Sequence, residues 1–184
     1  SRILGCISRL RDAGIPIYYF TGNHDMWMFR YLTDEFGIPI YREPVTHVIN
    51  GKKFYIGHGD GLGPGDHGYK MIKKLFANPA SQWLFARIHP NTGLKLMKFF
   101  SGTSRKHTEV EAFLGPDKEW LIQYALEYLK KEDIDYFVFG HRHLPIDFDL
   151  GVKGAKYVNL GDWLKYNSYA VWDGTALQLT YYKP

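Results

Sequence analysis

The chain has a single cysteine, Cys6, so it can form no internal disulfide and is compatible with a reducing compartment. No apolar run approaches the roughly 18 residues of a membrane-spanning helix, and the first residues contain no secretory h-region. Between His67 and Thr108 there is no Asp or Glu, yet there are eight basic residues: Lys70, Lys73, Lys74, Arg87, Lys95, Lys98, Arg105 and Lys106. The overall charge of +4 therefore combines +8 in this segment with −4 elsewhere, so the positive potential belongs to one stretch. Apolar material is not scarce. With 45% hydrophobic and 17% aromatic residues among 184, the chain is excluded from the disordered class and can build one domain with a sizeable core.

What is present is one short pattern, used three times. Asp135-Tyr136-Phe137-Val138-Phe139 reads as a buried strand and runs into Gly140-His141-Arg142-His143. If the backbone stays extended past Gly140, both imidazoles leave the strand end on one face, as a site for a borderline first-row cation needs. Ile15 to Phe20 likewise runs into Thr21-Gly22-Asn23-His24-Asp25, and Lys53 to Ile56 into Gly57-His58-Gly59-Asp60. Any one of these histidines is most simply a polar loop residue. Three strand–glycine–ligand repeats argue for loops converging at the carboxyl ends of neighbouring strands.

The rest of the chain alternates helix and strand before becoming antiparallel. Residues 2–13 read as a helix, 26–36 as a helix closed by Gly37, and 38–41 and 46–49 as short strands. Asn50-Gly51 is a hairpin turn into 53–57, and His47 is an ordinary strand residue. After a glycine-rich stretch at 61–68, helices are expected at about 69–77, 80–88 and 91–101, their aromatic stripe read first as core packing. A long helix opens at Pro116 to Trp120 and runs to about Lys131. Strands at 156–160, 168–173 and 176–182 are expected to complete a second sheet, Asp162 shaping a turn between them.

Gly22-Asn23-His24-Asp25, Gly57-His58 and Gly140-His141-Arg142-His143, in that order and each after a strand, resemble the calcineurin-like metallophosphoesterases. The resemblance implies an α/β fold, two facing mixed β-sheets flanked by helices, and two divalent metals that serve hydrolysis of phosphate esters or anhydrides. It implies Asn23, His58 and His141 as ligands of one metal and His143 as a ligand of the other. His24 corresponds to the histidine that steadies or protonates the departing group, Asp25 orients it, and Asp60 supports a ligand from behind. Mixed nitrogen and oxygen ligation suits Mn2+, Zn2+ or Fe2+ without choosing among them, Mn2+ being the ion expected. The family pattern also has an Asp-x-His and a Gly-Asp ahead of these motifs, and neither occurs upstream of Gly22. The expectation is thus a fragment without its first two strands, holding half of a dimetal site and prone to self-association at an unpaired sheet edge.

Within that family, Gly57 to about Lys106 is similar to the UDP-2,3-diacylglucosamine pyrophosphohydrolases of lipid A biosynthesis, which carry a helical lid after this loop. The similarity implies a lid insert at 62–108 in a single domain spanning 1–184, with Asp66, Tyr69 and Ser104 near the substrate. Typical members have arginine where this chain has His24, and a lid arginine aligns with Ser101. An apolar and basic insert suits a lipid-nucleotide substrate at a membrane surface, and hence a cytoplasmic enzyme peripheral to the inner membrane, better than nucleic acid. Two other readings stay open: a phosphoesterase with a soluble substrate, and a catalytically dead binding module of the same fold.

Overall fold

The computed structural model describes residues 2–64, 67–108 and 112–183, of which 67–69 and 100–108 are described as backbone alone. Its centre is a five-stranded mixed sheet built from β3 (Val45–Ile49), β4 (Lys52–Ile56), β5 (Tyr136–Phe139), β6 (Pro145–Asp149) and β7 (Lys156–Leu160). The order across the sheet is β3-β4-β5-β7-β6. Strands β4, β5 and β7 are mutually parallel, with Ile56 opposite Val138 and Val138 opposite Val158. The β-branched and aromatic residues of β5 suit a strand covered on both faces, and Phe137, Val138 and Phe139 are all buried.

Strand alternation divides these side chains between two cores. Tyr55, Phe137, Phe139 and Tyr157 meet α6 (Trp120–Leu129) through Leu121, Ile122, Ala125 and Leu129. On the opposite face Phe54, Val138 and Val158 meet Leu177 and the partly buried Ala170, Trp172 and Leu179 of the hairpin β8 (Ser168–Trp172) and β9 (Leu177–Tyr181). The hairpin thus faces the main sheet. A further parallel pair, β1 (Tyr19–Phe20) with β2 (Ile40–Tyr41), lies beside β3, where the His47 ring sits 5.0 Å from that of Tyr18 and 6.0 Å from that of Tyr41. The chain is an α/β protein with facing sheets and flanking helices.

Several expectations change in detail. Residues 156–160 belong to the main sheet and not to the second one, because β7 is buried at Tyr157, Val158 and Asn159 and pairs parallel with β5. Strand β6 was not anticipated; it begins at Pro145 and alternates Ile146 and Phe148 with Asp147 and Asp149, the chemistry of a sheet edge. The helix expected at 26–36 is confined to α2 (Tyr31–Phe36). Residues 26–30 are instead held as a loop, by Arg42 donating to the carbonyls of Met26 and Met28, each at 2.7 Å, and by Trp27. Trp27 Nε1 donates to the Phe76 carbonyl at 2.8 Å and its ring lies 4.4 Å from that of Phe85. That loop is therefore docked on α3 (His67–Ala77) and α4 (Pro79–Phe85).

The helical segment continues through α5 (Pro90–Thr108). Its apolar stripe is not core: Met71 (70%), Leu84 (61%) and Phe99 (68%) are largely exposed. Phe85, by contrast, packs inward on Trp27. Trp83 is also exposed, with the Arg87 guanidinium 3.2 Å over its ring. Among the described residues no helix is long and apolar enough to cross a membrane.

Candidate metal and phosphate site

Parallel register explains why the motifs meet. Strands β4 and β5 end side by side, so the loops that begin at Gly57 and Gly140 leave the sheet together. Two backbone bonds join them, Gly57 N–H to the Val138 carbonyl at 3.1 Å and Gly140 N–H to the His58 carbonyl at 2.9 Å. The rings of His58 and His141 end 5.3 Å apart, at 73° to each other. Asn23, from the loop after β1, completes the group: its Oδ1 lies 3.0 Å from His58 Nε2.

That approach needs a glycine. A Cβ on Gly22 would stand 2.7, 2.9 and 3.0 Å from three ring atoms of His58. Asp25 closes the same loop by accepting from the Gly22 N–H and from the Tyr19 hydroxyl. Burial, followed by this bond to Asp25, pushes the Tyr19 hydroxyl pKa up. Asp25 therefore shapes the turn that carries His24. The His24 ring is exposed, with Nε2 3.3 Å from Asn23 Nδ2.

Strand β5 stops at Phe139 and the backbone does not stay extended. His141 (φ 63°) and His143 (φ 53°) both take the left-handed conformation, uncommon for residues with a Cβ and costing on the order of 1–3 kcal/mol each. The two rings consequently take different neighbours. His141 is 8% exposed and turned toward His58, whereas the more open His143 side chain has Nδ1 3.6 Å from Asp162 Oδ2. Asp162 also shapes its turn as expected, Oδ1 accepting the N–H groups of Leu164 (3.0 Å), Lys165 (2.7 Å) and Tyr166 (3.3 Å). Its burial would raise its pKa, and these bonds outweigh that and lower it.

Residues with no expected role hold this loop in place. Arg142, between the two histidines, is buried with its Nε 2.9 and 3.1 Å from the Glu119 carboxylate oxygens. Asn159 is wholly buried and donates to the Gly140 carbonyl. Neither partnership follows a local spacing, since Glu119 lies 23 residues from Arg142 and Asn159 19 from Gly140. The one available signal was a charged residue enclosed in a histidine motif.

Burial lowers the pKa of both His58 and His141, the second further lowered by His58 beside it. Both rings are held neutral, the form that binds metal. Two neutral imidazoles and an amide oxygen form a donor set that fits a divalent first-row cation. Among the described residues no group of three or more His, Cys, Asp or Glu side chains is arranged to hold one; the oxygen beside the two imidazoles is Asn23 Oδ1, 3.0 Å from His58 Nε2. Asp60 is 5% exposed and 3.0 Å from Lys73 Nζ of α3, which ties the His58 loop to the helical segment. Between them opens a cleft of about 280 Å³, lined among others by Gly22, Arg42, Glu43, Asp60 and Lys73. Asp66 lies outside the described residues, as do the side chains of Tyr69 and Ser104.

Comparison with known proteins identifies the family. The calcineurin-like phosphoesterase family pattern matches residues 3–145. The chain is 37% identical to a UDP-2,3-diacylglucosamine hydrolase of Porphyromonas gingivalis, over 97% of this chain and 73% of the relative. It is 29% identical to a protein of the same name from Pseudomonas putida, over 88% and 67%, and 26% identical to one from Aeromonas salmonicida, over 92% and 66%. On the extent of these matches, and on the histidine loops they contain, the chain belongs to the calcineurin-like phosphoesterase family.

Proposed function

We propose that the protein hydrolyses the pyrophosphate bond of UDP-2,3-diacylglucosamine, releasing UMP and 2,3-diacylglucosamine 1-phosphate. The observation that carries this is the convergence of Asn23, His58 and His141 at one end of the sheet, in a chain 37% identical to a hydrolase named for that substrate. Asn23, His58 and His141 hold one divalent cation and His143 contributes to a second, Mn2+ being the preferred ion. When bound, such a pair supplies Lewis acidity and a water of lowered pKa aimed in line with the leaving group. His24, exposed at the mouth, donates toward charge developing on the phosphoryl oxygens, and Asp25 fixes the turn that presents it. Buried Asp60 anchors the His58 loop through Lys73.

The segment 62–108 acts as a lid. Its exposed Met71, Leu75, Leu84, Leu94 and Phe99 suit acyl chains, and its lysines suit a phosphate or an anionic membrane surface. Asp66, Tyr69 and Ser104 serve the head group. The protein works at the cytoplasmic face of the inner membrane. The test is Mn2+-dependent release of UMP from UDP-2,3-diacylglucosamine in mixed micelles, with UDP-glucosamine as the acyl-free control. Hydrolysis of the lipid alone, abolished in His58→Ala and His141→Ala, supports the proposal. Equal turnover of both substrates removes the lipid assignment, and unaltered turnover in either variant removes the metal assignment.

A further inference from the structure

We infer that Glu119 and Arg142 are a positioning pair: their buried ion pair sets the conformation of the Gly140–Leu144 loop and thereby the placement of His141 and His143. Arg142 is 6% exposed at its side chain and Glu119 3%, and the guanidinium Nε reaches both carboxylate oxygens. Arg142 Cζ also lies 5.4 Å over the Trp120 ring, within reach of a cation–π contact. Glu119 is the residue that opens α6, where the helix dipole favours a negative charge. The pair thus fastens the loop to the helix that covers this face of the sheet.

A purely stabilising role is a poor account of this arrangement. Buried ion pairs are costly to desolvate, and apolar residues of similar volume often replace them without loss of stability. What they can supply is a unique conformation, and here the conformation is an unusual one. Arg142 stands between two left-handed histidines, and its own N–H returns to the Gly140 carbonyl at 2.7 Å. Its side chain points into the protein to reach Glu119, which leaves the rings on either side to turn one toward His58 and the other toward Asp162. An apolar side chain at this position fills the space but lacks the fork that fixes the orientation.

The metal part of this inference rests on the reading of His141 and His143 as ligands; the loop part does not. The decisive variant is Glu119→Leu/Arg142→Met, compared with wild type, Arg142→Lys and His141→Ala. Two quantities are read: the Cε1–H proton shifts of the histidine rings in metal-free protein, and Mn2+ affinity by titration with paramagnetic resonance of the free ion. We expect the double variant to melt cooperatively, with displaced His141 and His143 ring signals and Mn2+ binding weakened roughly 10- to 100-fold, the range for residues that orient ligands. Arg142→Lys, which keeps charge and bulk, is expected to bind several-fold less tightly with smaller shifts. Should the double variant not fold, Arg142→Lys decides by the same two readouts. Ring signals and Mn2+ affinity both unchanged in a folded variant overturn the inference. Shifted ring signals with unchanged Mn2+ affinity in His141→Ala leave the positioning pair standing and overturn the metal reading.

Discussion

Replacing Gly22 by alanine adds one methyl group to the loop after β1, and the structure gives a definite account of where it goes. The new Cβ would lie 2.7 Å from His58 Cε1, 2.9 Å from Nε2 and 3.0 Å from Nδ1. Carbon atoms pack at about 3.5–4.0 Å, so the imidazole must retreat by roughly 0.8–1.3 Å or the loop must move by as much. Neither is free to do so. His58 is held through its carbonyl to Gly140 N–H and through Nε2 to Asn23, and the Gly22 N–H is held by Asp25. Overpacking of this kind costs about 1–3 kcal/mol in stability. The functional cost is larger, because a displacement near 1 Å in a catalytic group can lower turnover by about 10²-fold.

The assay pairs thermal melting with Mn2+-dependent UMP release, and Gly5→Ala serves as control. Gly5 lies in the helix α1 (Arg2–Asp12) and its nearest neighbour to an added Cβ is the flexible end of Arg9 at 3.8 Å. That variant is expected to gain about 0.5–1 kcal/mol with turnover unchanged. Gly22→Ala with wild-type turnover and melting temperature would refute the argument that close approach of backbone to imidazole organises the site.

Other substitutions test the remaining supports. Asn159→Leu takes a buried donor from the Gly140 carbonyl and should cost about 1–3 kcal/mol in denaturant unfolding, with the amides of the 140–144 loop exchanging faster. Trp27→Ala removes the ring contact with Phe85 and the bond to the Phe76 carbonyl, together about 1–3 kcal/mol; hydrogen exchange should quicken in α3 and α4 while α6 keeps its protection. Asp173, in the turn between β8 and β9, accepts from Ala176 N–H, Thr175 Oγ1 and Thr175 N–H, which lower its pKa from 3.8 to about 2. Its contribution to stability is present above pH 3.8 and lost as pH falls toward 2, so the melting temperatures of wild type and Asp173→Asn should converge over that window; a constant difference would contradict the assignment.

The convergence of Asn23, His58 and His141 was legible because each follows the same local grammar. A buried strand, a glycine and a ligand-type residue are neighbours in sequence, and parallel pairing of β4 with β5 needs no further information to bring His58 and His141 together. The edge strand β6 was missed although Pro145 and the Ile146, Asp147, Phe148, Asp149 alternation carry a strand signal, since it lies so close to the histidine motif. The exposed face of 70–99 was misread for a different reason. A helical stripe of apolar residues looks the same whether a core or some other partner covers it, and Leu84 and Phe99 show that burial cannot be inferred from periodicity.

The contacts that orient the donors have no such local trace. Glu119 lies in the stretch that opens a helix, Asn159 in an expected strand and Arg142 between two histidines, and no local spacing pairs them, yet all three are buried. Each carries a hydrogen-bonding obligation that burial makes expensive to leave unmet: Glu119 and Asn159 meet it on the Gly140–Leu144 loop, and Arg142 meets it from that loop on Glu119. The cost of two left-handed histidines can be sustained because three elements, α6, β7 and the Asp162 turn, constrain that loop together. Strand register brings the loops within reach of one another. Which ring atoms face inward is decided by buried polar groups far away in sequence, so substitutions at Glu119 or Asn159 should disturb the site as surely as changes in the histidines themselves.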